Sequence, residues 1–205
     1  MRYLDLKQKL KDFTLFSLEH IRKFEKSFDR RRLTEWQKKN YIKKIIKGYY
    51  IFSDVDINQN VLFLIANKIY KPSYVSFESA LSFYKLIPES IYAVTSANSR
   101  NTYIFKSPYG EFIYKKIKPK LMFGYTTLMG NSCMFNIAEP EKSILDYFYI
   151  KPQLKTEDDF EELRIERDMF FEHINMKTLN KYLGLFNCKV LKRRIKRLIK
   201  YLENA

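Results

Sequence analysis

An α+β fold is expected from three observations on this 205-residue chain. Three short helical patterns precede a β-branched, aromatic hairpin within the first 53 residues, strand and helix patterns alternate through the middle, and helical periodicity alone remains after about residue 157. The polar, turn-rich run Ser53-Asp54-Val55-Asp56-Ile57-Asn58-Gln59-Asn60 separates two expected domains, 1–53 and 61–205, the second α+β to about 150 and helical after about 157. With 46% hydrophobic and 17% aromatic residues, the chain has ample material for packed cores.

The elements follow from local chemistry. Leu4, Leu6 and Leu10 suit a helix from Arg2 to Lys11, and Phe13-Thr14-Leu15-Phe16 breaks its period. Ser17 suits the N-cap of a second helix through Ile21 to Lys23. A third helix, Asp29 to Lys39, places Leu33 and Trp36 with Asp29 and Asn40 on one side, and Arg30, Arg31, Thr34 and Lys38 on the other. Asp29 suits the positive end of that helix, and Asn40 suits the left-handed position after it. Tyr41 to Phe52 then reads as two strands around a Lys47-Gly48 turn.

Three helices followed by a basic-tipped hairpin is the order of a winged helix-turn-helix. The fold class expected for the whole chain is therefore a winged helix-turn-helix followed by a mixed α/β domain ending in helices. Charge follows the same division. The net charge is +15, and residues 1–52 carry 15 basic against six acidic side chains. Arginine forks suit guanine edges, whereas lysines more often neutralise phosphates. The expected DNA-binding residues are Arg30, Arg31, Thr34 and Lys38 on the third helix, with Lys43, Lys44 and Lys47 on the hairpin.

Beyond the boundary, Asn60 to Tyr70 is helical in period and is stopped by Pro72. Ser76 suits the cap of a helix from Phe77 to Phe83, with Glu78 and Ser79 in its first turn meeting free backbone N–H groups. Ile91 to Thr95 reads as a strand, Thr102–Lys106 and Glu111–Ile117 as a hairpin, and Met122–Leu128 and Cys133–Ile137 as further strands. Pro140 suits the first turn of the next helix, where Glu139 and Glu141 complement the helix dipole. Glu157 to Glu172 reads as one acidic amphipathic helix, and Leu179 to Leu185 as a shorter one ending at Gly184. In the last helix Leu191, Ile195, Leu198 and Leu202 form one stripe, and Lys192, Arg193, Arg194, Lys196, Arg197 and Lys200 fill the rest. That basic face suits solvation or pairing with the acidic helix, an auxiliary nucleic-acid contact, or a protein partner.

The run from Pro72 to Glu89, with Tyr74-Val75-Ser76-Phe77-Glu78-Ser79-Ala80-Leu81 at its centre and Leu86-Ile87-Pro88-Glu89 at its end, resembles the signature of the AbiEi family. Arg30 to Tyr50, Arg100, Gly110 to Tyr114 and Ile137 to Asp146 extend the resemblance over residues 13 to 150. Lys85 and Asn40 stand where that family often has glycine, departures that concern turns. The family comprises the antitoxins of type IV toxin–antitoxin systems. The resemblance implies a phage-defence regulator that represses its own promoter through inverted repeats in double-stranded DNA and opposes a nucleotidyltransferase-like toxin. Ser76, Glu78, Ser79, Arg100, Glu141, Lys142 and Asp146 are its motif positions here, and the resemblance itself assigns no role to any of them.

Other classes have less support. Five glycines include no phosphate loop, and Cys133, Cys188, His20 and His173 have no metal-ligand spacing, so no cofactor, no metal and no catalytic residue is expected; the cysteines read as buried thiols. Val61 to Ala66 is the longest apolar run, far short of a membrane span, and the first residues lack a signal-peptide core, which predicts a cytoplasmic protein with no membrane partner. The alternatives are a nucleic-acid-processing enzyme, for which Glu141 beside Lys142 would have to serve metal chemistry from a helix start, or a module that binds the toxin without DNA.

Overall fold

Apolar spacing decides the first helices in a computed structural model that describes residues 1–46, 48–88, 93–130 and 133–204. Helix α1 (Tyr3–Lys9) buries Leu6 and delivers Leu10 to the same core, two residues short of the expected end. Strand β1 (Phe16–Ser17) occupies the predicted break, and Ser17 is the N-cap of α2 (Leu18–Arg22). Helix α3 (Arg31–Lys38) starts later than expected because Asp29 lies before it, where its Oδ1 accepts the N–H of Arg31 at 2.9 Å. Strands β2 (Ile42–Ile46) and β3 (Tyr49–Phe52) pair antiparallel with a bulge between Lys44 and Ile46, and β1 pairs with the other edge of β3. Gly48, at φ 88°, supplies the left-handed conformation that turn requires. Leu6, Leu10, Phe16, Ile21, Phe28, Leu33, Trp36, Ile42, Tyr50 and Phe52 form one buried cluster.

A larger cluster occupies the rest of the chain and draws in Leu15, Ile45 and Ile51 from this segment. Helix α4 (Gln59–Ile69) is capped by Asn58, whose Oδ1 accepts the Val61 N–H at 3.1 Å. It packs on a six-stranded mixed sheet built from β4 (Ser73–Val75), β5 (Ala93–Asn98), β6 (Tyr103–Ser107), β7 (Gly110–Lys116), β8 (Tyr125–Gly130) and β9 (Cys133–Ala138). The strand order is β6-β7-β5-β4-β9-β8, with β5/β7 and β4/β9 parallel and the remaining pairs antiparallel. The central β4 is buried at every residue, whereas the edge strands β6 and β8 hold only exposed and half-buried residues, as their positions require. Helices α5 (Glu78–Phe83) and α6 (Pro140–Ile150) pack together, and α9 (Met176–Phe186) and α10 (Lys189–Asn204) enclose α6 further. Together the sheets and the ten helices among the described residues make a mixed α+β fold.

Several local expectations are corrected. The acidic segment is two helices, α7 (Glu157–Leu163) and α8 (Arg167–His173), divided at Arg164 with φ 49°. Leu163 and Ile165 are both buried, yet at about 100° per residue a continuous helix would point them some 200° apart. The chain must therefore turn between them. Helix α9 runs through Gly184 and ends at Asn187, which takes the left-handed cap at φ 47°. The strand expected from Met122 begins only at Tyr125, after a 3-10 turn at Pro119–Leu121. Ser76 does not cap α5; Phe77 does, at φ 57° with its ring sealed in the core. Asn40 and Lys85 both adopt positive φ, 53° and 57°, which is the backbone reason for a glycine preference at such turns. Ile91, Tyr92, Glu89 and Lys47 lie outside the described residues.

Candidate nucleic-acid interface

The two faces of α3 separate as its sequence requires. Leu33 and Trp36 are buried, with the indole against Phe28 at 5.5 Å and edge-on to Tyr3 at 5.9 Å. Arg30, Arg31, Thr34 and Lys38 are exposed. Arg31, Thr34 and Lys38 line one shallow depression together with Glu35. The neighbouring Arg32 is engaged elsewhere. Its Nη1 donates to the Met1 carbonyl at 2.6 Å, while the chain's amino group pairs with Glu25 at 2.7 Å. Those contacts dock the N-terminus against α3 and the segment that precedes it and leave Arg30 and Arg31 outward.

Glu35 is a residue of this face that the sequence pattern does not single out. Its Oε1 pairs with Lys39 Nζ at 2.7 Å, one helical turn on, and that ammonium holds the carboxyl below its usual range. The pair neutralises the one acid in the depression without using Arg31 or Lys38. On the hairpin, Lys44 is exposed and Lys43 half-buried; Lys47 lies outside the described residues. A second cationic surface lies on α10, where Lys192, Arg193, Lys196, Arg197 and Lys200 are exposed. Arg194 is a correction: it is buried and faces inward.

The seven motif positions of the second segment do not form one site. Ser76, Lys142 and Asp146 meet in a buried network completed by Tyr74, a residue sequence reasoning missed. Asp146 Oδ2 accepts the Tyr74 hydroxyl at 2.8 Å and the Ser76 hydroxyl at 2.9 Å, and Lys142 Nζ donates to Asp146 Oδ1 and, at 2.8 Å, to the Tyr74 oxygen. Burial pushes Asp146 up and Lys142 down from their ordinary values, against the attraction each exerts on the other. The Lys142 ammonium also lies about 5 Å from the Phe123 and Phe186 ring centres. Since both charged side chains are sealed from solvent, the network ties β4 to α6.

The other positions are distributed around it. Glu78 bridges Lys115 at 3.1 Å and Lys151 at 3.0 Å, rather than serving its own helix start alone. Ser79 and Thr95 lock together, the Ser79 N–H donating to Thr95 Oγ1 and the Thr95 N–H to Ser79 Oγ. Glu141 accepts the Asn175 N–H at 2.7 Å and Glu139 accepts the Tyr182 hydroxyl, so these acids hold α9 in addition to opening α6. Arg100 is exposed and takes no part in the network; it lines a cleft beside α2. Cys133 is buried and its thiol is pushed up by burial, whereas Cys188 is only half-buried, which corrects one of the two buried-thiol expectations.

Glu78 supports a pH prediction. Burial alone would raise its carboxyl, but Lys115, its own backbone N–H and Lys151 win and hold it below the ordinary value of 4.5. The stabilisation is complete above that value and is lost as pH falls through the depressed one. Glu78→Gln should cost about 1–2 kcal/mol at neutral pH. In urea melts from pH 7 to 3 the variant should show a shallower acid loss than the wild type; parallel curves would contradict this account.

Among the described residues, no His, Cys, Asp and Glu cluster could hold a metal ion, and no helix is long and apolar enough to cross a membrane. No family model matches this chain, and no curated protein matches it.

Proposed function

We propose that the protein is a DNA-binding transcriptional repressor whose first 53 residues act as a winged helix-turn-helix, with α3 in the major groove and the β2–β3 hairpin on adjacent backbone. The observation that carries the reading is the division of α3: Arg30, Arg31, Thr34 and Lys38 face solvent while Leu33 and Trp36 anchor the helix. Exposed Lys44 extends the cationic surface to the hairpin, and the net charge of +15 favours a polyanionic partner. The resemblance to the AbiEi family supports the rest of the proposal. In that reading the protein is the antitoxin of a type IV system, binds inverted repeats in its own promoter, and opposes a nucleotidyltransferase-like toxin.

The test is a mobility-shift titration of promoter DNA over a range of salt. Arg31→Ala should cost roughly 1–3 kcal/mol and relax preference at one base position. Lys44→Ala should weaken all duplexes alike and reduce the salt slope by about 0.9. Absent or salt-insensitive binding by the wild type overturns the reading.

A further inference from the structure

A cleft of about 360 Å³ opens where β1 and α2 face the C-terminal end of α4 and the turn after β5. Its cations come from three places in the chain: Lys68 from the last turn of α4, Lys71 from the loop that follows, and Arg100 from the β5–β6 turn. Local hydrogen bonds hold their backbones. Tyr49 Oη donates to the Lys68 carbonyl at 3.3 Å, Tyr70 Oη to the Asn101 carbonyl at 3.2 Å, and the Arg100 N–H to Asn98 Oδ1 at 2.7 Å. Among the described residues none of the three cations forms an ion pair, and Glu19 is the one carboxylate in the lining.

His20 completes the lining in a defined state. Its Nδ1 accepts the Ser17 N–H at 3.0 Å, so the neutral ring carries its proton on Nε2 and presents a donor. Burial and the charge of Lys23 hold the ring below its usual value against the pull of Glu19, with smaller contributions from Lys68 and Lys71. Three unpaired cations against one carboxylate leave a local charge of +2, a repulsive arrangement that an anion would relieve.

We infer that this cleft binds a phosphate group. A phosphate ester carries a charge of about −1.5 to −2 and three acceptor oxygens, which matches the local excess, and an arginine fork with two ammonium groups is the donor set suited to it. A carboxylate would neutralise only half of that excess. The rings of Phe13 and Tyr49 supply an apolar wall for whatever body the phosphate bears. The phosphate could come from a free phosphate ester or from duplex backbone beside the β2–β3 hairpin; the second source rests on the proposed DNA binding.

The experiment compares the full chain with a variant carrying Lys68→Gln, Lys71→Gln and Arg100→Gln, all at exposed positions; Lys71→Gln alone serves if the triple variant does not fold. In the first arm, the His20 ring resonances are followed by NMR during titration with inorganic phosphate at constant ionic strength, and His173→Asn assigns the two rings. Saturable shifts in the wild type, weakened at least tenfold in the variant, identify a free phosphate ligand. In the second arm, the salt dependence of duplex binding is measured for both proteins. A slope lower by about 2.7 in the triple variant, or about 0.9 in the single one, identifies backbone phosphate. Either result supports the inference. If neither the ring titration nor the slope separates variant from wild type, the inference is overturned. Should the wild type bind no duplex at all, the proposed function falls while the first arm alone decides the cleft.

Discussion

Asp146→Ala should destabilise the fold by roughly 3–5 kcal/mol, because it leaves the Lys142 ammonium buried with no carboxylate beside it. The loss exceeds that of one ion pair, since the Tyr74 and Ser76 hydroxyls lose their acceptor in the same step. Lys142→Met should be comparably damaging, for it strands the carboxylate instead. Replacing both, Lys142→Met with Asp146→Leu, should recover much of the loss, because two charges then need no desolvation. Urea denaturation of the wild type, both single variants and the double variant measures this coupling. Strictly additive costs, or an Asp146→Ala cost below about 1 kcal/mol, would show that the network contributes little to holding β4 against α6.

Arg194→Met should cost roughly 2–4 kcal/mol, the largest effect of a single substitution outside the Lys142–Asp146 pair. Its Nη1 donates to the Phe148 carbonyl at 2.8 Å, Nη2 to Lys151 and Nε to Leu154, each of these two at 2.5 Å. These acceptors lie at and just beyond the C-terminal end of α6, where helical carbonyls lack intrahelical partners and the helix dipole favours a cation. The guanidinium also lies 5.3 Å from the Phe148 ring centre. Arg194→Lys should recover only part of the stability, because one ammonium cannot reach three divergent carbonyls as a planar fork does. The exposed neighbour is the control: Arg193→Met should change stability by no more than about 0.5 kcal/mol. Equal losses at positions 193 and 194 would contradict this role.

The candidate interface is legible in the sequence because its residues lie close together. The 3.6-residue period separates Leu33 and Trp36 from Arg30, Arg31, Thr34 and Lys38 within less than three turns, and Asn40 follows it with the left-handed backbone its type tolerates. Glu35 is obscured because basic residues dominate that face, although its pairing with Lys39 is an ordinary i, i+4 relation. Arg194 looks like any other base on a cationic helix. It differs from Arg193 only by the 100° that turns it toward the end of α6.

Local pattern and turn chemistry determined the α+β class, most of the strands, the start of α6 and the solvent face of α3, since each depends on residues a few positions apart. Only tertiary structure decided what the motif side chains touch. Tyr74 and Asp146 are 72 residues apart, and β4 beside β9, which leads into α6, brings them together. The break at Arg164 likewise follows from the need to bring Leu163 and Ile165, which a continuous helix would point apart, into the same core. The physical reason is that local conformational preference acts within a turn or two of chain, whereas burial of charge and of apolar surface is settled by strand order and helix packing across the whole fold.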